Sequence, residues 1–258
     1  MTEIAITSRD NPLFKRLKKL AESARARREA QMTLLDGEHL LAAYLDAGGQ
    51  PHTLVRADSF DAGRFENWAA RCPDVKAIAL PDALFDELAP VSTPTGLLSE
   101  AAWLSPIARD DTPLIIVLED IQDPGNLGSI LRSAAAAGCD AVYLSPGCAD
   151  AWSPRVLRAG MGGHFVLSIT ESTDLLHVAG QFSGKLLAAS LQADRSLYAC
   201  NLRGKFGFAI GNEGAGLSPA LLQAAQQHFI IPMPGRVESL NAAAATAVCL
   251  FEAVRQRQ

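Results

Sequence analysis

The chain has 258 residues, 48% of them apolar, and a net charge of −5. That apolar share builds a full core without disulfide or metal staples. The five cysteines (72, 139, 148, 200, 249) form no CxxC pair, and the five histidines have no metal-ligand spacing, so neither a disulfide framework nor a metal site is expected. The longest aliphatic run, LIIVL at 114–118, is far short of the roughly 20 residues that span a bilayer. MTEIAITSRDN at the start has no signal-peptide core, so a soluble, cytoplasmic protein is the expectation.

Charge is unevenly placed. Residues 1–31 carry eight Lys/Arg and four Asp/Glu, a balance of +4, and the remainder carries −9. The segment 10-DNPLFKRLKKLAESARARRE reads as one helix, with Asn11 as its cap and Pro12 in its first turn. Leu13, Leu17, Leu20 and Ala24 recur on one face, and Lys15, Lys18 and Lys19 project from the other. Such a strip is either a solvated face or a contact for RNA phosphates.

Strand-like and helix-like segments then alternate: TLLD and GEHLLAAYLDAG, TLVRA and SFDAGRFENWAAR, VKAIAL and PDALFDEL, with TPTGLLSEAAWL closing the series. The polar, proline-bearing stretch 105-SPIARDDTP reads as a linker, which gives domains over 1–104 and 114–258. The second series starts with LIIVLED and a helix ending at Gly138, then AVYL, FVLSI, KLLAAS and FGFAIG as strands. A helix started by Ser218 and Pro219, the strand FIIPM and an alanine-rich helix finish the chain. Short continuous apolar strands alternating with helices predict a parallel sheet covered on both faces.

Ligands of such sheets collect beyond the carboxyl ends of the strands. Three Gly- or Pro-rich loops lead into helices there: 119-EDIQDPGNLGSILRSAAAAG, 211-GNEGAGLSP and 232-PMPGRVESLNAAAATAVCLFEA. The four alanines of the last segment stand where a surface helix normally carries charge, which points to close approach by a backbone or a ligand. GxGxxG, the P-loop and GxSxG are all absent.

Asn126 and Arg132 in PGNLGSILRSA, Glu213 in GNEGAGLS, and Ser239 with Asn241 in IPMPGRVESLN occur in one order. Together they resemble the three signature motifs of the SpoU/TrmH family of RNA ribose 2′-O-methyltransferases, of the SPOUT class. SRDNPLFKRLKKL, DGEHLLAAYLDAG and VSTPTGLLS similarly resemble that family's substrate-binding domain. The resemblance implies an α/β SPOUT catalytic domain with a C-terminal trefoil knot, preceded by a smaller α/β RNA-binding domain. It implies S-adenosylmethionine as methyl donor, no metal, ribosomal or transfer RNA as substrate, and a homodimer joined through the catalytic domain. Gly211, Ile231, Met233 and Leu240 are the donor contacts it suggests. Arg132 is the residue it offers either to deprotonate the ribose hydroxyl or to clamp a phosphate and the developing alkoxide. Arginine rarely gives up its proton, so the residue's own chemistry leaves both roles open.

Each of these residues also has a plainer reading. Asn126 is placed to cap its helix, and Ser239 reads as the cap of the last helix with Asn241 in its first turn. Glu213 is placed as an exposed turn carboxylate. Arg155 and Arg158 share a helix face, either toward RNA or simply toward solvent. His164 reads as a packed histidine. Leu240, Ala244, Ala247, Val248, Phe251 and Val254 form an apolar stripe that serves a core or an interface. An RNA-binding relative without catalysis, a base methyltransferase of the same class, and a small-molecule nucleotide enzyme are the alternative functions.

Overall fold

The computed structural model describes residues 3–89, 93–104, 106 and 114–258. The linker expected at 105–113 lies, but for Pro106, outside the described residues. Two compact units divide the chain. One runs to Leu104 and includes Trp152–Phe165, and the other joins Ser105–Ala151 to Val166–Gln258.

In the first unit the expected single basic helix is two. α1 spans Pro12–Glu22, capped by Asn11 with Pro12 in its first turn, and α2 spans Ala24–Ala30. The break falls at Ser23, whose extended backbone ends α1 while its hydroxyl accepts from the Ala26 N–H and caps α2. Arg27, buried by the fold-back, donates to the carbonyls of Leu20 and Ala21 that the end of α1 leaves unpaired. The sheet of this unit is mixed. β1 (Ile4–Ala5), β4 (Lys76–Leu80) and β3 (Thr53–Ala57) run parallel, and β5 (Leu97–Ala102) pairs antiparallel with both β3 and β2 (Met32–Asp36). Alternation divides adjacent strand residues between two cores. Val55, Ile78 and Leu98 join Phe14, Leu17 and Leu20, whereas Leu54, Ala77 and Leu97 join Leu41, Phe65 and Ala69.

The sequence assigns 152–165 to the second domain, but the structure packs this segment with the first. Trp152 stacks on Trp103 with ring centroids 4.7 Å apart, and the Thr33 hydroxyl donates to its carbonyl at 2.7 Å. Phe165 meets Tyr44 edge-on at 5.2 Å. Aromatic burial and a buried ion pair (below) outweigh chain proximity here. His164 is fully buried beside Trp152, as a packed histidine should be.

The second unit carries six parallel strands in the order β11-β9-β10-β6-β7-β8. They are β6 (Leu114–Leu118), β7 (Ala141–Leu144), β8 (Ser168–Thr170), β9 (Lys185–Ala189), β10 (Phe206–Ile210) and β11 (Gln227–Phe229). The strand expected over FVLSI starts only at Ser168, because Phe165 belongs to a 3-10 turn, Gly163–Phe165, in the other unit. The strand expected over FIIPM ends at Phe229, after which the chain leaves the sheet. One face buries Ile115, Val117, Leu186 and Ala209 against Leu175 and Leu221. On β10 the alternate positions Phe206 and Phe208 pack edge-on, and Phe208 packs likewise on Phe229 of β11. Helix α6 (Pro124–Ala136) follows β6, and the final helix α10 (Ala242–Arg257) packs against it and against β10. The other helices are α3 (Glu38–Asp46), α4 (Ala62–Ala70), α5 (Asp82–Leu88), α7 (Pro154–Gly160), α8 (Leu175–Gln181) and α9 (Pro219–Ala224).

Candidate active site

Three loops leave the carboxyl ends of β6, β10 and β11, and each ends in a helix cap. Asp123 caps α6, its carboxylate accepting from the Asn126 N–H at 2.7 Å. The plainer reading of Asn126 as the cap is therefore corrected, and its side chain is free for other work. Ser218 caps α9. Asn241, not Ser239, caps α10, its side-chain oxygen accepting from the N–H groups of Ala243 and Ala244 at 2.9 and 3.2 Å. That cap leaves the Asn241 amide nitrogen pointing outward from the helix start.

The side chains released by this capping meet. Asn241 Nδ2 donates to Asn126 Oδ1 at 2.7 Å and to Glu213 Oε1 at 3.3 Å. Asn126 Nδ2 donates to the same Glu213 oxygen, which also accepts from the Ala242 N–H at 3.3 Å. One carboxylate thus collects donors from two other loops, 87 and 28 residues away in sequence. Hydrogen bonds to an ionised acceptor are about twice as strong as neutral ones, so Glu213 is the tie that holds the three loops in register. The negative charge also lies at the N-terminus of α10, where the helix dipole favours it.

Beside this tie lies a pocket of about 230 Å³. Its walls include Ile210, Gly211, Glu213, Ile231, Met233, Ser239, Leu240, Ala242 and Ala245. All four expected donor contacts (Gly211, Ile231, Met233, Leu240) line it. FIIPM is apolar because its second half forms this wall instead of a strand. The small residues opening α10 have a similar explanation: Ala242 and Ala245 border the pocket on a helix that also packs against α6. Gly211 is required by close approach, since a Cβ there would sit 2.3 Å from the Gly216 carbonyl. The sequence reading missed Ala189–Gln192, which also line the pocket. Their only signal was position, at the carboxyl end of a strand beside β10.

Arg132 is carried by α6, the helix that carries Asn126, and is exposed without a hydrogen bond or ion pair among the described residues. The basic residues of the first unit are placed differently. Lys15 pairs with Asp10 and Lys18 with Glu87, each at 2.7 Å. Lys19 is exposed and without an ion pair among the described residues. Arg155 is exposed on α7. Arg158, expected with it toward RNA or solvent, instead donates to the fully buried Asp36 carboxylate at 2.9 Å and to the Thr93 carbonyl at 3.0 Å. A buried carboxylate demands a partner, and that demand corrects Arg158 to a structural cation. Among the described residues no cluster of His, Cys, Asp and Glu is arranged to hold a metal, and no helix is long and apolar enough to cross a membrane.

Residues 113–251 match the model of the SpoU rRNA methylase family, and residues 11–99 match an MRM3-like substrate-binding domain. An uncharacterized tRNA/rRNA methyltransferase of Synechocystis is 32% identical, over 98% of this chain and 94% of its own length. The 23S rRNA (guanosine(2553)-2′-O)-methyltransferase RlmP of Bacillus subtilis is 30% identical, over 95% of this chain and 97% of its own. The crystal structure of an RNA 2′-O ribose methyltransferase superposes with a TM-score of 0.83 at 31% identity, covering 98% of this chain and 99% of that one. The SpoU methyltransferase AviRb of Streptomyces viridochromogenes, solved with AdoMet, gives 0.86 at 26% identity, covering 96% and 98%. With its catalytic half matching the family model and sequence similarity along almost its whole length, the chain belongs to the SpoU rRNA methylase family.

Proposed function

We propose that the protein transfers a methyl group from S-adenosylmethionine to a ribose 2′-hydroxyl of RNA, with ribosomal RNA as the substrate class. The observation that carries this reading is the meeting of Asn126, Glu213 and Asn241 beside a pocket lined by Gly211, Ile231, Met233 and Leu240. The pocket fits the donor. Aliphatic walls suit a purine face, the close 211–217 backbone suits its polar edge, and no metal is needed. When bound, S-adenosylmethionine supplies a methyl carbon made electrophilic by its sulfonium.

The chain's own residues do the rest. Glu213 fixes the loops after β6, β10 and β11, so that donor pocket and acceptor position are set before RNA arrives. Arg132, on α6 and without a hydrogen bond or ion pair among the described residues, is left to bind an RNA phosphate bidentately and to stabilise the 2′-oxygen as its proton passes to bulk water. Ser239, which lines the pocket, orients the ribose. Lys19 remains exposed for phosphate contact, Lys15 and Lys18 would exchange an acidic partner for a phosphate, and Arg155, on the surface of α7, joins them in facing RNA. The first unit serves as the RNA-binding domain.

Two architectural features belong to the same reading. The chain end is threaded as a trefoil knot, which the insertion of β10 between β9 and β6 and the return of α10 to α6 support. A second copy covers the catalytic unit. On α10 the core takes Thr246, Cys249, Leu250 and Ala253, whereas Phe251 stays 50% exposed and Leu240 and Ala244 of the same apolar stripe are exposed as well. The proposed location is the cytoplasm.

The test is transfer of labelled methyl from S-adenosylmethionine to ribosomal RNA, followed by nuclease digestion and mass spectrometry. A 2′-O-methylated nucleoside is expected. A methylated base on unmodified ribose, or no transfer to any RNA, would refute the proposal. Light scattering at micromolar concentration should give a dimer.

A further inference from the structure

The Asn126–Glu213–Asn241 tie is joined by a second row of polar contacts, which runs from Asn212, a pocket-lining residue of the GNEGAGLS loop, to Asp120 and Ser145. Asp120, just past the end of β6, has a left-handed backbone with φ +55°. Residues with a side chain rarely adopt this conformation, and it persists where neighbours enforce it. Here they do. The Ser145 hydroxyl accepts from the Asp120 N–H at 2.9 Å and donates to its carboxylate at 2.7 Å. Space for that carboxylate comes from Gly147, where a Cβ would lie 2.1 Å from the Asp120 oxygen.

The main-chain carbonyl of Asp120 accepts from Asn212 Nδ2 at 3.0 Å, a link of 92 residues. The other end of the Asn212 amide, Oδ1, accepts from the Gly214 and Ala215 N–H groups at 2.8 and 3.2 Å. It closes the turn whose next residue is Glu213. Three loops, after β6, β7 and β10, are thereby joined ahead of the tie itself.

We infer that Ser145 and Asn212 are positioning residues: through the left-handed Asp120 they aim the Glu213 carboxylate at Asn126 and Asn241. This rests on the methyltransferase reading for its kinetic consequence, but not for its structural one. Ser145 is 8% exposed and does not line the pocket, so its effect on donor affinity is small. Asn212→Asp keeps the acceptor that closes the turn, removes the donor to Asp120 and sets a carboxylate oxygen against that carbonyl. An aim altered by an ångström costs on the order of a hundredfold in rate, and a partial change about tenfold.

The experiment has two arms on the full chain. In the first, the side-chain amide signals of Asn126 and Asn241 are followed by ¹H–¹⁵N NMR in the wild type, Ser145→Ala, Asn212→Asp and Gly147→Ala, with Tm measured alongside. Both amides are expected to move toward their solvent positions in all three variants while Tm stays within a few degrees. Unmoved amides would overturn the inference, whether or not the protein methylates RNA. In the second arm, kcat is expected to fall about tenfold in Ser145→Ala at nearly unchanged donor Kd, with little further loss when Ser145→Ala is added to Glu213→Gln. Independent, multiplying losses would overturn it. Failure of the wild type to transfer methyl would sink the functional reading and leave the NMR arm to decide the positioning.

Discussion

Replacing Arg132 with alanine separates stability from chemistry more cleanly than any other change in this molecule. The guanidinium is exposed on α6 and makes no hydrogen bond or ion pair among the described residues, so its removal takes nothing from the folded state. Alanine is also the better helix former, by a few tenths of a kcal/mol. Surface changes of this kind fall within about 0.5 kcal/mol, which for a chain of this size moves Tm by no more than about 2 °C. The pocket proposed for the donor is untouched, because Arg132 is not among its lining residues. Loss of a preorganised electrostatic donor at a developing oxyanion costs about 2.7–4 kcal/mol, or a hundred- to a thousandfold in turnover. The assay is single-turnover methyl transfer to ribosomal RNA, with donor Kd by calorimetry and Tm by scanning calorimetry on the same samples. Arg132→Lys should retain charge but not the bidentate fork, and should fall between. If Arg132→Ala keeps activity within tenfold of wild type, or if its loss is matched by a fall in Tm or in donor affinity, the assignment is wrong.

Asn241→Ala removes a helix cap as well as two contacts of the tie, so it should lose about 1 kcal/mol of stability in addition to turnover, whereas Ser239→Ala should lose turnover alone. Thermal melts and initial rates on the two proteins distinguish cap from non-cap. Gly211→Ala drives a Cβ into the Gly216 backbone, and overpacking of that kind costs about 1–3 kcal/mol. Donor binding should be weakened strongly, and an unchanged calorimetric Kd would show that the 211–217 loop does not shape the pocket. On α10, hydrogen bonds from Arg255 and then Gln256 hold the Glu252 carboxyl down at about 2, from an ordinary value of 4.5. The stabilisation is complete above pH 4.5 and is lost as pH falls toward 2. Denaturant titrations of wild type and Glu252→Gln should therefore differ at pH 6 and converge near pH 2. Lys19→Ala should lower the salt dependence of RNA binding by about one unit of slope with no change in Tm, while Arg158→Ala should destabilise by stranding the buried Asp36.

Much of this protein is legible in its residues. Continuous apolar strands between helices specify the parallel sheet, because only strands covered on both faces read that way. The Gly-, Pro- and Asn-rich loops mark where it would bind, because ligands gather at strand carboxyl ends. Glu213, Asn126 and Asn241 are singled out by their resemblance to the family's motifs, although each also has a plainer local reading. Tertiary structure alone decided how they are used. Which residue caps α6 or α10 depends on a turn geometry that places Asp123 and Asn241 ahead of Asn126 and Ser239. The break at Ser23 depends on Arg27 finding two unpaired carbonyls. The pairing of Arg158 with Asp36 joins residues 122 apart, and the hold of Asn212 on Asp120 joins residues 92 apart. Local pattern fixes which groups need partners, since burial and helix ends leave them unsatisfied. Which partner each one meets is set only when distant segments are folded against one another.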